Sequence, residues 1–498
     1  MLEVKNLSIT VNEKYMIKDL SFVLNNNDKL AIIGEEGNGK STLLKVILGK
    51  CDYCKYTGII NYNKNRLGYL KQFLDEDELA LSVFDYLFND IDYYKSVKNL
   101  YSYMDQLEIK DELLDRNMSY LSGGEKVKIS ILKLLLEDND ILLLDEPTND
   151  LDIQTLDWLE KFIISSDKPI IFISHDETLL SNTANMILHI EQIKKKEQCR
   201  HTIVKTDYDD YINTRINMIV KQNQIAKAEK KDYDKQIQKL TQIKNKVDHQ
   251  LNTITRANPH GGQLLKKKMH AVKSQEKRIT NKELTQRFES EENINIFFEN
   301  VFIPNKKEVI SLDIPSLTVE ERILTKSISL EIYGSKKIVI CGNNGVGKTT
   351  LLKIIYDMLK NREDLNVGYM PQNYDEVLNR YKNVLDYLCP EADKATISRI
   401  RTNLASLNIT SDEAIGDLSK LSGGSKAKVF LLKLIIDKCN VLVLDEPTRN
   451  LSPLSNPIIR NILRDYGGTI ISVSHDRKFI EEVCDELYIL KQEGLKKA

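Results

Sequence analysis

The middle of the chain has the hydrophobic pattern of a long helix. From Tyr208 to Leu251 there is no proline or glycine, and apolar residues recur at spacings of three, four or seven. These spacings place apolar side chains on one face of an α-helix, as in a coiled coil. At about 1.5 Å per residue, the helix would be roughly 65 Å long, which is more than an ordinary globular domain accommodates.

The pattern breaks at Asn258-Pro259-His260-Gly261-Gly262. Proline and paired glycines favour the end of a helix and a chain reversal. A second helical run follows, with Leu265, Met269, Val272 and Ile279 on one side. We therefore predict an antiparallel α-helical hairpin within a linker spanning residues 191–292, with its tip at about 252–264.

The two flanking segments contain short, wholly apolar strands that end in polar motifs, and the same motifs occur twice in the same order. The spacing is 50 residues from Gln72 to Ser122 and from Gln372 to Ser422. It is 23 residues from each serine to an aspartate, Asp145 or Asp445, and 29 residues from the following glutamate to a histidine in both segments. This repetition indicates two homologous α/β domains, over residues 1–190 and 293–498.

Each domain contains a phosphate-binding loop of the form GxxxxGK[ST] between a buried strand and a helix. Its glycines let backbone N–H groups surround phosphates, its lysine reaches the β- and γ-phosphates, and its hydroxyl meets Mg²⁺. The predicted ATP-binding residues here are Gly34, Glu35, Glu36, Gly37, Asn38, Gly39, Lys40, Ser41 and Thr42, and then Gly342, Asn343, Asn344, Gly345, Val346, Gly347, Lys348, Thr349 and Thr350.

Two further motifs in each domain complete the chemistry. Strands ending in Asp145-Glu146 and Asp445-Glu446 supply one carboxylate for the Mg²⁺ shell and a second, the glutamate, that can polarise an attacking water. His175 and His475 follow later strands and are interpreted as γ-phosphate sensors. The predicted Mg²⁺ ligands are Ser41, Gln72 and Asp145 in one set and Thr349, Gln372 and Asp445 in the other.

Small-residue loops open a second helix in each domain. Their exposed N–H groups and serine hydroxyls suit a further phosphate contact. Alone, such a loop is more often a plain helix cap, and its interpretation depends on the neighbouring motifs. These loops add Ser122, Gly123, Gly124, Ser422, Gly423 and Gly424 to the predicted ATP-binding residues.

Charge separates the linker from the rest of the chain. Residues 191–290 contain 23 Lys+Arg and 12 Asp+Glu, a net charge of +11, whereas the whole chain carries −2. A basic segment on an acidic protein indicates an anionic partner such as RNA, although lysines also serve merely to solubilise a coiled coil. The residues predicted to contact RNA near the tip are Arg256, Asn258, His260, Lys266, Lys267, Lys268 and Lys273.

Other features restrict the class of protein. No apolar run approaches 18 residues, and the N-terminus lacks a signal-peptide core. Seven cysteines are scattered, and Cys51 and Cys54 form a CxxC that no second pair completes as a zinc site. We expect a cytoplasmic protein with no membrane domain, whose cysteines are reduced thiols.

The phosphate loops, the two LSGG signature loops, the two LDEPT strands and the two histidines together resemble the ATP-binding cassette family over nearly all of both domains. Two cassettes on one chain, separated by about 100 residues, resemble its ABC-F subfamily. The resemblance implies ATP hydrolysis with Mg²⁺ in two sites between the cassettes of a monomer that closes on two ATP molecules. Site one would join the first phosphate loop to Ser422 and Gly424, and site two would join the second phosphate loop to Ser122 and Gly124.

The resemblance also implies a partner. ABC-F proteins bind the exit site of the 70S ribosome, beside 23S rRNA and the P-site tRNA, and their linker reaches toward the peptidyl-transferase centre. The short spacing after each glutamine leaves little room for the extra arm of some members, which favours those that protect ribosomes from antibiotics. The alternatives are a housekeeping factor that rescues stalled ribosomes, the ATP-binding subunit of a transporter, and a DNA-binding ATPase.

The chain departs from the family pattern at specific positions. The turn after the second LDEPT strand ends in Ser452 where an aspartate is usual, and Ser425 stands where the first signature has Glu125. Because Glu146 and Glu446 are both present, we predict two competent but unequal sites. The adenine-stacking residue is not evident, with Val11 and Tyr15 near the expected position.

Overall fold

The structure is a computed structural model that describes residues 1–63, 65–89, 93–149, 151–193, 197–253, 259–281, 285, 288, 297–298, 301–319, 322–390 and 393–498. The chain forms two compact units. The first unit combines Met1–Tyr208 (the first cassette) with Ser290–Ala498 (the second cassette), and the second unit is Asp209–Glu289.

The first cassette alternates strands and helices. Its strands are β1 (Leu2–Val11), β2 (Lys14–Leu24), β3 (Lys29–Ile33), β4 (Lys55–Asn61), β5 (Leu67–Leu70), β6 (Ile141–Asp145), β7 (Ile170–Ile173), β8 (Met186–Ile193) and β9 (Gln198–Val204). Its helices are α1 (Lys40–Ile47), α2 (Glu76–Leu79), α3 (Val83–Phe88), α4 (Tyr93–Gln106), α5 (Gly123–Leu136), α6 (Ile153–Ser165) and α7 (Glu177–Thr183), with 3₁₀ turns at Asp111–Leu113 and Met118–Tyr120.

The second unit contributes α8 (Tyr208–Thr253), whose first residue belongs to the first unit, and α9 (Pro259–Thr280). The second cassette then repeats the order of the first. Its strands are β10 (Glu308–Val319), β11 (Arg322–Tyr333), β12 (Lys337–Cys341), β13 (Val367–Met370), β14 (Val441–Asp445), β15 (Thr469–Val473), β16 (Glu486–Lys491) and β17 (Gly494–Lys497). Its helices are α10 (Lys348–Leu359), α11 (Asp375–Leu378), α12 (Val384–Leu388), α13 (Lys394–Ser406), α14 (Ser411–Ile415), α15 (Gly423–Ile436), α16 (Asn456–Arg464) and α17 (Arg477–Val483), with a 3₁₀ turn at Leu418–Lys420.

Each cassette is built on a six-stranded sheet of the same topology. The strand orders are β5-β6-β7-β3-β8-β9 and β13-β14-β15-β12-β16-β17. All neighbouring strands are parallel except the last pair of each sheet. The central strands β3, β6, β7, β14 and β15 are fully buried, which explains their continuous apolar sequences, since a parallel sheet is covered on both faces. The carboxyl ends of these strands meet at one edge, where the polar motifs follow.

Smaller antiparallel sheets cover the phosphate-loop helices. The first cassette has the order β2-β1-β4, and the second has the pair β10-β11. Apolar residues of β1 and β2 pack with α1 and the central strands in one core, and those of β10 and β11 pack with α10 in the equivalent core. The fold class predicted from the sequence, two P-loop NTPase domains of α/β type with long helices between them in the sequence, is thereby confirmed.

The helices of the second unit are antiparallel. Lys244 Nζ of α8 lies 2.9 Å from Glu276 of α9, and the Thr285 backbone N–H donates to Glu229. The partner on α8 moves toward the N-terminus as the chain advances, which is the register of a hairpin. Most of the buried side chains described in this unit are apolar, namely Ala226, Leu240, Val247, Met269 and Val272, and Tyr211 and Arg215 of α8 are buried as well.

The expectation that the paired glycines interrupt the helical pattern needs correction. Gly261 and Gly262 lie inside α9, which begins at Pro259. Proline suits the first helical position because its fixed φ is helical and its missing N–H has no partner there in any case. Arg256 and Asn258, which we predicted to contact RNA, lie outside the described residues.

The prediction that all cysteines are free thiols is also wrong. Cys51 and Cys54 form a disulfide, with their Cα atoms 5.9 Å apart. The turn after α1 brings the two residues within the ordinary span of such a bond. The other five cysteines, Cys199, Cys341, Cys389, Cys439 and Cys484, are free.

Because Val247 is only 2 % exposed, Val247→Asp would bury an unpaired carboxylate in the helix pair. We expect amide hydrogen exchange along α8 and α9 to accelerate by at least about tenfold, since local opening becomes cheaper. Hydrogen–deuterium exchange with mass spectrometry measures this, and β6 and β14 provide internal references. Lys246→Asp introduces the same side chain at an exposed neighbour. Equal acceleration in both variants would contradict the assignment of a buried seam.

Candidate functional site

The two phosphate loops have the same backbone shape. Gly34 has φ +143° and Gly342 has φ +154°, and a Cβ on either would lie within 2.3 Å of a backbone oxygen of the neighbouring strand. Only glycine fits these positions. Lys40 Nζ donates to the carbonyl oxygens of Gly34 (2.8 Å) and Glu35 (3.0 Å), which holds its charge inside the loop.

The second loop repeats this arrangement. Lys348 Nζ lies 2.7 Å from Gly342 O and 3.0 Å from Asn343 O. Both lysines are the first residues of their helices, so the first N–H groups of α1 and α10 point into the loops. This arrangement suits a phosphate because the N–H groups, the helix dipole and the lysine are all positive.

The remaining loop residues predicted to bind ATP lie in the same turns or in the first turn of the following helix. In the first cassette these are Glu36, Gly37, Gly39, Ser41 and Thr42, and in the second they are Asn344, Gly345, Val346, Gly347, Thr349 and Thr350. Asn38 differs, because its amide donates to Ile190 O (3.0 Å) and ties the loop to β8. Its side chain therefore supports the loop through the sheet.

The predicted Mg²⁺ ligands of the first cassette converge at the end of β6. Ser41 Oγ donates to Asp145 Oδ1 at 2.8 Å, and the Tyr69 hydroxyl donates to Asp145 Oδ2 at 2.9 Å. Burial raises the pKa of Asp145, although both hydrogen bonds oppose that effect. Hydroxyl and carboxylate oxygens are hard ligands suited to Mg²⁺.

Glu146 follows directly and has the left-handed φ of +49°, a conformation that costs energy in a non-glycine residue. Gln72 Nε2 donates to Glu146 Oε2 at 2.7 Å, Asn149 Nδ2 donates to the same oxygen at 2.8 Å, and His175 Nε2 lies 3.5 Å from Oε1. Burial would raise the pKa of Glu146, but the hydrogen bond and charge of His175 outweigh it and lower the pKa to about 2. Glu146 is thus an ionised carboxylate that can orient a water.

The second cassette has the same residues with fewer contacts. Both oxygens of Asp445 are buried without a hydrogen-bond donor among the described residues. Burial raises the pKa of Glu446 to about 8, and it lowers the pKa of His475 to about 4. His475 Nε2 lies 3.9 Å from Glu446 Oε1. An unpaired buried carboxylate fits a cation site, so Asp445 with Thr349 and Gln372 would hold Mg²⁺. The ion would neutralise charge developing on the phosphate oxygens.

A cavity of about 850 Å³ opens at the second phosphate loop. It is lined by Lys348, Thr349, Gln372, Asp445, Glu446 and His475 of the second cassette together with Gly123, Asn149 and Leu151 of the first. The structure thus brings the second phosphate loop opposite the first signature loop, as in site two. Ser122 and Gly124 line a separate cleft with Glu125 and Lys128.

Site one is closed by direct contacts between the cassettes. The Gly424 backbone N–H donates to Glu36 Oε2 at 3.0 Å. A Cβ added to Gly423 would lie only 2.9 Å from the same oxygen. His175 Nδ1 donates to Leu451 O at 2.7 Å. Ser422 caps α15 and lies 3.0 Å from Ser425 Oγ, where Ser122 has Glu125 and a capping box instead.

Sequence reasoning missed several residues at these sites. Tyr69 donates a hydrogen bond to Asp145, and Asn149 donates one to Glu146. Both residues lie within a few positions of the predicted motifs, and this proximity in the sequence could have identified them. The residues that join the cassettes away from the phosphate loops carried no motif.

Those joining residues form two ion-pair clusters with inverted charges. Arg460 of α16 binds Glu177 of α7 (Nη2–Oε2 3.1 Å), and Arg477 of α17 binds Glu160 of α6 (3.0 Å). Glu160 and Arg460 occupy equivalent positions in the two cassettes, as do Glu177 and Arg477, so each position changes sign between them. Two first cassettes would place glutamates together, and two second cassettes would place arginines together. The charges therefore favour pairing of unlike cassettes.

The predicted RNA-contacting residues that the structure describes lie along α9. His260, Lys266, Lys267, Lys268 and Lys273 are all exposed. α9 contains six Lys+Arg and a single acidic residue, Glu276, which is paired with Lys244. The helix therefore presents positive charge to solvent.

Comparisons with known proteins agree with this geometry. The family described as "ABC transporter" matches residues 17–149 and 325–449, which together make up more than half of the chain. The "Putative ATP-binding protein YdiF" of Bacillus subtilis (strain 168) is 29% identical over 97% of this chain and 79% of its own length. "ABC transporter F family member 5" of Arabidopsis thaliana is 26% identical over 98% of this chain and 74% of its own length.

Solved structures share the fold. An archaeal ribosome recycling factor, crystallised with ribosomal stalk protein aP1, has a TM-score of 0.60 at 17% identity and covers 99% of this chain and 89% of its own. "RNase-L Inhibitor" has the same TM-score at 18% identity, with 99% and 89% covered. Among the described residues, no helix combines the length and apolarity needed to cross a bilayer.

The Glu177–Arg460 pair provides a test of cassette pairing, because both side chains are at most 5% exposed. Glu177→Gln or Arg460→Gln alone would leave one buried charge with a missing partner, and we expect ATP hydrolysis to fall in each variant. The double variant should lose less ATPase activity than the two single losses together predict, with a coupling free energy of about 1–3 kcal/mol. Steady-state ATPase rates of the four proteins measure this coupling. Lys336→Gln, which removes a partly exposed ion pair inside one cassette, is the control. Additive losses would contradict the assignment.

Proposed function

Because the chain belongs to the ABC transporter family and is therefore an ATPase that uses Mg²⁺, we propose that its ATP-driven closure serves the ribosome. In this proposal it binds the exit site of the 70S particle, beside 23S rRNA and the P-site tRNA. The hairpin of α8 and α9 acts at the peptidyl-transferase centre and protects the ribosome from antibiotics. The protein works as a monomer, in which the first cassette closes on the second.

The observation that carries the proposal is the exposed positive charge of α9. Lys266, Lys267, Lys268, Lys273, Lys277 and Arg278 are all exposed, and ion pairing with an acidic neighbour neutralises none of them in the described residues. A row of lysines of this kind is suited to the phosphate backbone of RNA. A transporter subunit gives these antiparallel helices no role, whereas a DNA-binding ATPase would use the same positive charge, so binding to 70S particles separates that alternative from the proposal.

The energy for the work comes from the cassettes. ATP bound between a phosphate loop and the opposite signature loop joins the two cassettes, because each side supplies part of the phosphate contacts. Hydrolysis removes those contacts and allows the cassettes to separate. The inverted charges at Glu160, Glu177, Arg460 and Arg477 support closure within one chain.

The relatives agree with this role at a coarser level. The F family of Arabidopsis thaliana includes a protein 26% identical to this chain, and the same fold occurs in an archaeal ribosome recycling factor. A translation factor that rescues stalled ribosomes would use the same cassettes and the same helices, so resistance to drugs separates the two roles.

Ribosome binding is tested with a variant that closes on ATP without hydrolysing it. We expect Glu146→Gln with Glu446→Gln to slow hydrolysis by at least about 100-fold, since each change removes the carboxyl group placed to orient the attacking water. The doubly substituted protein should co-sediment with 70S particles in the presence of ATP and Mg²⁺ and should remain in the supernatant with ADP. Retention should weaken steeply with added salt, because phosphate contacts release counterions. Presence in the supernatant under every ionic condition would contradict the proposal.

Drug protection is tested in a sensitive bacterium. Expression of the chain should raise the inhibitory concentration of at least one lincosamide, pleuromutilin, streptogramin or phenicol. Replacing Lys266, Lys267 and Lys268 with glutamine should reduce that protection and lower the salt dependence of ribosome binding by up to about three charges. ATP hydrolysis without ribosomes should stay close to that of the parent.

A matched control replaces three exposed lysines of α8, Lys221, Lys230 and Lys246, with glutamine. This variant removes the same charge from the other helix. Protection that is lost equally in both variants would indicate a general charge effect. Ribosome binding without any gain of resistance would instead favour the role in rescue of stalled ribosomes.

A further inference from the structure

The phosphate loops of the two cassettes differ in charge. The first reads Gly34-Glu35-Glu36-Gly37, and the equivalent residues of the second are Gly342-Asn343-Asn344-Gly345. Two carboxylates therefore stand in a loop built to bind phosphates, whereas the other loop has two neutral amides. Like charges close together repel one another, so the acidic pair opposes the binding of a polyphosphate unless other groups take up its charge.

Glu36 is held where a phosphate oxygen is expected. Its Oε2 accepts the backbone N–H of Gly424, the second residue of α15, at 3.0 Å. A Cβ added to Gly423 would lie only 2.9 Å from the same oxygen, so the carboxylate sits directly against the signature loop. A carboxylate here satisfies an N–H group at the start of a 14-residue helix, as an anion does. A phosphate bound at this helix end would compete with Glu36 for the same donor.

Glu35 anchors the loop in that position. Its Oε1 lies 3.1 Å from Lys428 Nζ, 3.2 Å from Ser452 Oγ and 2.6 Å from Ser455 Oγ, all three in the second cassette. The Glu35 side chain is only 16% exposed. Its burial would raise its pKa, but the charge of Lys428 and the hydrogen bond from Ser455 lower the pKa below its usual value. The carboxylate is therefore ionised and paired.

Ser452, which stands where the family usually has an aspartate, donates a hydrogen bond to Glu35. The equivalent residue of the first cassette is Asp152, whose carboxylate caps α6 through the Thr155 N–H. In site one the negative charge lies on the phosphate loop, at Glu35, and the facing turn supplies hydroxyl groups. In site two the facing turn supplies the carboxylate, and the loop is neutral. The carboxylate thus belongs to the phosphate loop in site one and to the facing turn in site two.

We propose that Glu36 is an internal competitor for the anion position of the second signature loop, so that site one binds ATP more weakly than site two. ATP enters site one only by displacing Glu36 from the Gly424 N–H, whereas the equivalent residue that lines the cavity of site two is Asn344, a neutral amide that does not repel a phosphate. The sites then fill in order, with site two first. This inference requires only ATP binding and is independent of the ribosome.

The contacts of Glu35 stay in place when ATP enters site one. Lys428 is 4% exposed and Ser455 is fully buried, so the three hydrogen bonds of Glu35 hold the first phosphate loop against the second cassette. Displacement of Glu36 therefore occurs within a loop whose neighbouring residue stays attached. A rotation of the Glu36 side chain is enough to release the Gly424 N–H, because that side chain is itself exposed.

The test uses the full chain carrying Glu146→Gln and Glu446→Gln, so that ATP is bound without turnover. Titration calorimetry with ATP and Mg²⁺ should resolve two classes of site. Adding Glu36→Gln, which keeps the shape but removes the charge, should tighten the weaker class by about tenfold, the usual effect of one charge-assisted hydrogen bond. The isotherm should then approach that of two equal ATP sites.

The reciprocal change assigns the sites. Asn344→Glu introduces the acid at the equivalent position of the second loop and should weaken the tighter class, again by about tenfold. If the parent binds both ATP molecules with equal affinity, or if Glu36→Gln leaves the weaker class unchanged or weakens it, the proposal is overturned. Ribosome co-sedimentation of the same proteins reports separately on the proposed function, since it can fail while the two classes behave as expected.

Discussion

The pairing of the two cassettes is the constraint on which the rest of the structure depends, because residues of both cassettes meet at each candidate ATP site. The second phosphate loop shares a cavity with Gly123 and Leu151 of the first cassette, and the first phosphate loop contacts Gly424 of the second. Chemistry at either site therefore requires the cassettes to meet in one orientation. Buried and partly buried ion pairs between the cassettes favour that orientation, because any other orientation would leave one of the charges buried without its partner.

The two cassettes come from the duplication of one domain, and their sequences have since diverged so that unlike cassettes pair. Glu160 and Arg460 are equivalent residues of opposite charge, and so are Glu177 and Arg477. Identical cassettes would have placed like charges together where these residues meet. The same divergence reached the phosphate loops, where Glu35 and Glu36 replace neutral amides. The interface that distinguishes the cassettes thus also distinguishes the two ATP sites.

The second unit has a different physical character. Few of its described residues are buried, most of them apolar side chains on α8 and α9, while the exposed surface of α9 is strongly basic. A helix pair of this kind is stabilised by its seam and by pairs such as Lys244–Glu276. Its charged face needs no packing partner within the unit. The excess of lysine and arginine in this segment indicates an anionic partner, and the exposure of the lysines leaves them available to such a partner.

Much of this protein was determined by local sequence. Continuous apolar strands, the glycine-rich phosphate loops, the spacing of polar motifs and the helical period of residues 208–251 predicted the α/β fold, the duplication and the long helices, because each depends on neighbouring residues or on a repeated spacing. The same local reasoning failed at Gly261 and Gly262, where a helix starting at Pro259 continues through both glycines, and at Cys51 and Cys54. What only the tertiary structure decided is which distant groups meet. The Glu36–Gly424 contact, the Glu35–Lys428 pair and the charge inversion at the interface join residues hundreds of positions apart. No periodicity encodes such contacts, since they arise from the packing of one folded cassette against another.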